Sequence, residues 1–367
     1  MNERSEQLNP GPRPPAPGPF LFAGGGTGGH VIPALAVARE LRARGHEVFF
    51  VGTDRGMEAK LVPAAGFALE KIDIGGLNRV GFRQRLVTLA KLPFTTIHCL
   101  RYKPSAVFSM GGYVAGPPVA AALLRRVPVV VMEPNAVPGF TNRVIGRLVS
   151  RALITFPETV SYFPAGRTEV TGLPVREEFF HLPAKPRGQK LNLLITGGSQ
   201  GSRTLNRAGR ESWPLFRSAG GNVRIVHQTG QNGFEELRDA FAESGIEGEI
   251  VPFLTDMPAA FAAADLIVCR SGAGAVSELA AAGKPSILVP FPFAADDHQT
   301  RNAEAMARGG AARMVRDAEM NGAKLASLVM ELSGTEALEE MGAAARKLAR
   351  PEAARRAAEI LEEVVRR

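Results

Sequence analysis

The chain reads as an α/β protein of two similar halves with a cleft, each half a parallel sheet covered by helices. Three observations carry that reading. Short apolar runs alternate with segments of helical spacing, which is the βαβ rhythm of a parallel sheet buried on both faces. A strand, glycine turn and helix begin the foldable chain at Phe20, and the same plan restarts at Leu191. Between the halves, residues 181–190 (HLPAKPRGQK) hold two prolines, basic residues and little apolar content, as an interdomain linker does.

Residues 1–19 are polar and then Pro-rich, without the apolar core of a signal peptide, and are expected to be a disordered tail. Phe20–Ala23 reads as the first strand, 24–29 as a glycine turn and 33–44 as a helix stopped by Gly45. A second strand follows at 47–51. Strands are expected at 106–110, 127–132 and 152–155, which places the first domain at 20–180. The second domain, 191–348, has its strand at Leu191–Thr196 and its glycine turn at 197–201. Further strands are expected at 223–228, 249–252, 266–269 and 286–289, and residues 352–367 read as a charged amphipathic helix.

Length and composition agree with this division. The 367 residues suit two domains of roughly 150 to 180 residues. Forty-five per cent of them are apolar, ample for two cores, and no stretch approaches the roughly 20 uninterrupted apolar residues of a spanning helix. Two cysteines support neither a disulfide framework nor a Cys-rich zinc site, so a reducing cytosol is the expectation. A net charge of +8 points to an anionic partner: a phosphorylated metabolite, an acidic membrane surface or nucleic acid. With 3 Tyr, 1 Trp and no RNP or zinc-finger pattern, nucleic acid ranks last.

A glycine turn between strand and helix lets backbone amides approach an anion, aided by the helix dipole. The turn Gly24–His30 (GGGTGGH) lacks the dinucleotide spacing with an acid closing the next strand, and neither turn has the Gly-Lys-Ser/Thr ending of a P-loop. Two such turns in matching places favour a phosphate-bearing ligand. In 269–285 (CRSGAGAVSELAAAGKP) a strand ends, Ser271 is placed to cap, and a helix starts near Ala273 and stops at Gly283. Glu278 then lies about one and a half turns in. There it can hold both hydroxyls of a ribose whose phosphate sits at the helix start, or simply complement the helix dipole.

The segments GGGTGGH (24–30), SMGGYVAGPP (109–118), EPNAVPGFTN (133–142), TGLPVR (171–176), TGGSQGS…LN (196–206) and SGAGAVSELAAAGKP…DDHQTRNA, ending at Ala303, together resemble the MurG family. These are N-acetylglucosaminyltransferases of bacterial peptidoglycan synthesis. The match runs in order through nearly the whole chain after Phe20; Pro134 and Leu173 stand where that family commonly has Gln and Asn. The resemblance implies a GT-B fold, two Rossmann-like domains with parallel sheets facing across a cleft, with the last helix (349–367) packing back on the N-terminal domain. It also implies transfer from UDP-N-acetylglucosamine to a polyprenyl-diphosphate-linked muramyl pentapeptide, with inversion and without a cofactor. By the same resemblance Ser199 and its turn meet the diphosphate, with the helix start of Ala273, Gly274, Ala275, Val276 and Ser277 close by, and Glu278 holds the ribose hydroxyls. Leu254 lies beside the uracil, Arg176 reaches the nucleotide and Gln299 the sugar, while Thr27, Gly28, Gly29 and Asn135 complete the contacts. The implied location is peripheral, on the cytoplasmic face of the bacterial inner membrane, among other cell-wall synthesis proteins.

Transfer to a sugar hydroxyl needs a base, a stabilised leaving group and exclusion of water. No Asp-x-Asp occurs, Asp296 and Asp297 being adjacent, so metal-free catalysis is expected. His30 is the candidate base, since imidazole titrates near neutral pH; the alternative is a histidine that only caps the helix or orients the loop. Tyr113 and Glu133 are candidates on the acceptor side. Leu77, Val80, Phe82, Leu86, Leu89 and Leu92, interleaved with Arg79, Arg83, Arg85 and Lys91, suit an anionic leaflet or, equally, an ordinary core helix with a basic outer face. The rival classes are a UDP-N-acetylglucosamine 2-epimerase, another lipid glycosyltransferase and a non-enzymatic lipid-binding scaffold.

Overall fold

The computed structural model describes residues 18–76, 81–183 and 188–366. The expected tail thus lies almost wholly outside the described residues. The first sheet contains β1 (Phe20–Ala23), β2 (Val48–Gly52), β3 (Ala68–Lys71), β4 (Ala106–Ser109), β5 (Val129–Glu133), β6 (Arg151–Ile154) and β7 (Thr168–Val170), in the order β3-β2-β1-β4-β5-β6-β7. The second contains β8 (Leu191–Thr196), β9 (Val223–Gln228), β10 (Glu247–Val251), β11 (Leu266–Cys269), β12 (Ser286–Leu288) and β13 (Ala312–Met314), in the order β10-β9-β8-β11-β12-β13. Both orders are the doubly wound Rossmann progression, starting in the middle and turning back once. Every recorded pairing is parallel, Phe20 standing opposite both Val48 and Ala106, and Leu193 opposite both Leu266 and Ile225.

The central strands β1, β4 and β11 are apolar at every position but Ser109 and are buried throughout, as sheets covered on both faces require. Phe22 packs on Phe50 and Phe108 with ring centroids 5.2 and 5.0 Å apart. In the second sheet Leu193, Ile195, Ile225, Leu266 and Val268 form the matching core. Three strands carry no clear sequence signal: β3 (ALEK), β7 (TEV) and β13 (ARM). Each is an edge strand of three or four residues with charged members, so no run of alternation survives to be read. The helix Gly28–Ala43 begins five residues before the expected start; Pro33 is tolerated inside it, lacking only the amide that would bond the Gly29 carbonyl.

The chain divides into two compact units, one of Met1–Met132, Val144–Ala152 and Ala354–Arg367, the other of Glu133–Arg143 and Leu153–Ala353. This differs from a single cut at 181–190, because the segment 133–143 and residues 153–180 pack with the second unit and residues 354–367 with the first. The last helix, Ala353–Val365, belongs to the first unit through a buried pair. His46 Nε2 lies 2.9 Å from Glu362 Oε1, both side chains 3% exposed, and Arg44 reaches the other carboxylate oxygen at 3.4 Å. Neither cysteine is poised for chemistry: burial pushes the Cys99 thiol up to about 11 and the Cys269 thiol to about 12. No helix among the described residues is long and apolar enough to cross a membrane.

Candidate functional site

Each sheet reverses its strand progression once, between β1 and β4 and between β8 and β11. Loops leaving the carboxyl ends of the strands diverge there and leave a crevice for ligand. The loops so placed are 24–27 and 110–112 in the first unit, and 197–202 and 270–272 in the second.

In the first unit Thr27 is extended (φ −127°, ψ 155°) and starts the helix Gly28–Ala43 with no side-chain cap and no acidic residue in the first turn. The helix's own first turn therefore does nothing to offset the dipole. His30, on the first turn, lies with Nδ1 3.2 Å from the Gly25 carbonyl. A carbonyl only accepts, so a hydrogen bond at this contact requires the proton on Nδ1, and in that tautomer the lone pair lies on Nε2. Gly112 (φ +77°) faces this ring, where an added Cβ would sit 3.5 Å from Nδ1, and the Tyr113 ring lies against Gly26 and Gly76.

The turn is held from behind by Glu58, a residue the sequence reading did not select. Only 1% exposed, it accepts from Gly26 N at 2.7 Å, Thr53 N at 3.0 Å and Thr53 Oγ1 at 2.8 Å. A Cβ at Gly25 would fall 2.4 Å from this carboxyl group, so that glycine is required by space rather than by its own φ. The signal in sequence is faint: a lone acid after a strand and a short turn.

Glu133, at the end of β5, is 1% exposed. It accepts from Asn135 N (2.9 Å), Asn135 Nδ2 (3.2 Å), Gly139 N (3.1 Å) and Asn142 Nδ2 (2.9 Å). Burial raises its pKa above the ordinary carboxylate range, against the pull of those donors. Both oxygens are engaged in shaping the loop 133–142. That loop is joined to the second switch point by Asn302, a fully buried residue also absent from the candidates. Its Oδ1 accepts Ala136 N at 2.9 Å, and its Nδ2 donates to Asn135 Oδ1 at 3.2 Å and to the Ser271 carbonyl at 3.1 Å.

The helix Ala273–Ala282 starts and ends where the sequence places it, but Gly272 rather than Ser271 is the N-cap. Ser271 is fully buried and its hydroxyl donates to the Gln299 carbonyl at 2.8 Å, a partner in the first turn of the helix His298–Arg308 that sequence spacing does not disclose. Glu278, half-buried on this helix, pairs with Arg176 Nη2 at 3.4 Å. Burial raises its carboxyl pKa and Arg176 partly offsets the rise. Gln299 Oε1 accepts Phe291 N at 3.0 Å, which leaves its amide nitrogen as the end to offer a ligand. Leu254 is half-buried against the core, and Asp256 caps the helix Met257–Ala263 by accepting Ala259 N at 2.9 Å.

The turn 197–202 leaves Ser199 exposed. Gly198 donates its amide to Thr196 Oγ1 (3.2 Å) and accepts from Gln228 Nε2 (3.0 Å). Gly201 is left-handed (φ +72°), and a Cβ on it would lie 1.9 Å from the Thr229 carbonyl. Ser202 caps the following helix through Leu205 N at 3.2 Å, and its Oγ also accepts Arg270 Nη2 at 2.7 Å. Arg270, unselected in sequence, also donates to Asp317 at 2.5 Å and to the Val289 and Pro290 carbonyls at 3.1 Å each. One guanidinium thus joins the glycine turn, the loop after β12 and the loop after β13. The pattern Cys-Arg-Ser at a strand end is the only cue to it.

Comparison with known proteins places this arrangement. Residues 20–154 match the glycosyltransferase family 28 N-terminal domain, and residues 192–359 the C-terminal domain of the same family. The crystal structure of Acinetobacter baumannii MurG is 35% identical, covers 95% of this chain and 100% of its own, and superposes with a TM-score of 0.77. A Solibacter usitatus protein is 72% identical over 95% of this chain and 96% of its own length. It is named UDP-N-acetylglucosamine--N-acetylmuramyl-(pentapeptide) pyrophosphoryl-undecaprenol N-acetylglucosamine transferase. The chain belongs to the MurG family of glycosyltransferases. Its fold class is accordingly GT-B, as the resemblance of the motifs implies. Fold alone would not have separated the rivals: a UDP-GlcNAc 2-epimerase from Neisseria meningitidis, 14% identical, superposes with a TM-score of 0.64 over 94% of this chain and 99% of its own.

Proposed function

We propose that the chain transfers N-acetylglucosamine from UDP-N-acetylglucosamine to the C4 hydroxyl of the muramyl sugar in undecaprenyl-diphospho-MurNAc-pentapeptide. The products are lipid II, for peptidoglycan synthesis, and UDP. The observation that carries this reading is the 72% identity, over nearly the full chain, with a transferase of that name. In a single displacement the acceptor oxygen bonds to the anomeric carbon as the bond to the β-phosphate oxygen breaks, which inverts the configuration. The acceptor's proton passes to His30 Nε2, the ring nitrogen that keeps a lone pair when Nδ1 donates to Gly25.

The leaving diphosphate takes its stabilisation from backbone amides at Ser199 and at Ala273, Gly274 and Ala275, at the start of a helix with no acid in its first turn; Val276 N is already bonded to the Gly272 carbonyl at 3.0 Å, so Val276 and Ser277 contribute by carrying the helix on behind that anion site. Glu278 accepts both ribose hydroxyls, Arg176 steadies the nucleotide, and Leu254 lies against the uracil. Gln299 offers its amide nitrogen to the sugar, and Thr27, Gly28, Gly29 and Asn135 complete the polar contacts. Tyr113 borders the acceptor, while Glu133 acts through the loop it shapes. The deciding assay is UDP release with and without a lipid I analogue, in the presence and absence of a chelator. Acceptor-dependent release that survives the chelator is expected; release without acceptor would favour the epimerase reading, and none at all the scaffold.

The membrane face is the helix Phe82–Cys99. Thr88 and Thr95 are buried on one side of it, while Leu86, Leu89, Phe94 and Ile97 are exposed on the other, Phe94 by 76%. That exposure argues against an ordinary core helix, whose apolar stripe would be covered. Arg83 is exposed, and Lys91 is paired with Asp73. Phe82 and Arg85 lie on the same helix; Leu77, Arg79 and Val80 fall outside the described residues. Each apolar side chain sunk into a bilayer contributes roughly 1.5 to 3 kcal/mol, so this face suits peripheral attachment to the cytoplasmic leaflet of the inner membrane. Flotation should show binding to vesicles rich in phosphatidylglycerol and its loss in a Phe94→Ser, Ile97→Ser variant. Equal binding by the variant would remove this surface from the reading.

A further inference from the structure

We propose that Glu58 is a positioning residue for His30, acting through the Gly25–Gly26 peptide as a carboxylate–peptide–imidazole relay. The inference rests on His30 as the base. The Gly25 carbonyl and the Gly26 amide are two ends of one peptide group. Its N–H donates to Glu58 Oε2 at 2.7 Å and its carbonyl lies 3.2 Å from His30 Nδ1. A peptide is a conjugated dipole, so a carboxylate drawing on the N–H end increases electron density on the oxygen and strengthens its acceptance from the imidazole. The relay fixes the ring with its proton on Nδ1 and its lone pair on Nε2. This is the task a carboxylate performs by direct contact in hydrolytic triads.

The surroundings are built for that arrangement. Glu58 is 1% exposed, and its second oxygen is engaged by Thr53 N and Thr53 Oγ1 at 3.0 and 2.8 Å, which orients the first towards Gly26. Added Cβ atoms at Gly25, Gly52 and Gly56 would lie 2.4, 2.6 and 2.0 Å from Glu58 side-chain atoms, so three glycines make room for this one side chain. The ring is backed by Gly112, whose Cβ position would lie 3.5 Å from Nδ1. A buried carboxylate whose only task was to staple a loop would not need to be aimed at the one peptide whose carbonyl holds the histidine.

The test separates the relay from the base assignment. The full chain is labelled with 15N-histidine and its ring nitrogens are read by long-range proton–nitrogen correlation at a pH where the rings are neutral, with His30 assigned by its loss in His30→Gln. Wild-type His30 should be in the Nδ1–H form, and an Nε2–H ring would overturn the proposal without any variant being needed. Glu58→Gln keeps the shape and removes the charge. It should lower the Nδ1–H share and reduce kcat on the order of tenfold, as loss of an outer-shell partner does, with the UDP-N-acetylglucosamine Kd within twofold of wild type. A folded Glu58→Gln with an unchanged His30 spectrum also overturns the relay. A changed spectrum with unchanged kcat supports the relay and removes His30 as base.

Discussion

The two glycine turns look alike in sequence and are backed by opposite charges. Behind 24–29 stands a buried carboxylate, Glu58, gripping the Gly26 amide. Behind 197–202 stands a guanidinium, Arg270, bonded to Ser202 and through it to the start of the next helix. A negative group beneath the first turn works against dense negative charge in the same place. A positive group beneath the second favours a diphosphate. Glycine content says that backbone comes close to a ligand; the partner underneath says which sign of charge is wanted.

The largest effect that would test this contrast is at the imidazole. His30→Ala should lower kcat by about 10²- to 10⁴-fold while the donor Kd, measured by calorimetry, stays within about threefold. A variant that turns over normally would leave the first turn without a proton-transfer role. Next comes Glu278→Ala, which removes a charged acceptor for two hydroxyls. Loss of about 1.5 to 3 kcal/mol should weaken UDP binding roughly 10- to 100-fold, and an unchanged Kd would take the ribose away from this helix. Arg270→Met should raise the donor KM by about tenfold, on the scale of outer-shell partners, and leave kcat less affected. The reverse split, kcat falling and KM holding, would make the two turns equivalent after all.

The smallest effect is in pH. Burial holds the Glu278 carboxyl above its ordinary 4.5, with Arg176 opposing. On the proposed role of Glu278 as acceptor for the ribose hydroxyls, donor binding uses the ionised form, so affinity should begin to fall, as the solution is acidified, at a pH above that of a free carboxylate. In Glu278→Gln this part of the profile should be flat. A wild-type profile already flat down to pH 4.5 would show that the ionised form is not what binds the ribose.

Much of this molecule could be read before any coordinates. The runs at Phe20–Ala23, Leu191–Thr196 and Leu266–Cys269 are read as strands because each is short, mostly apolar and closed by a glycine turn or polar loop, too short for a helix and suited to a sheet covered on both faces. The ordered motifs named the family, and Gly283 (φ +61°) ends its helix as a glycine after such a run does. These are local consequences of side-chain chemistry and backbone sterics, and local sequence is enough to state them.

What only the tertiary structure decided is which distant side chains stand behind the turns. Glu58 meets Gly26 across 32 residues, Arg270 meets Ser202 across 68, and Asn302 meets Ala136 across 166. Ser271 reads locally as a cap, yet its hydroxyl is taken by Gln299, 28 residues on. His46 and Glu362, 316 residues apart, are an ordinary histidine and an ordinary helix acid until the fold buries them together. A buried polar group must find a partner wherever the packed chain supplies one, and that choice depends on the geometry of the whole unit, which no window of sequence contains.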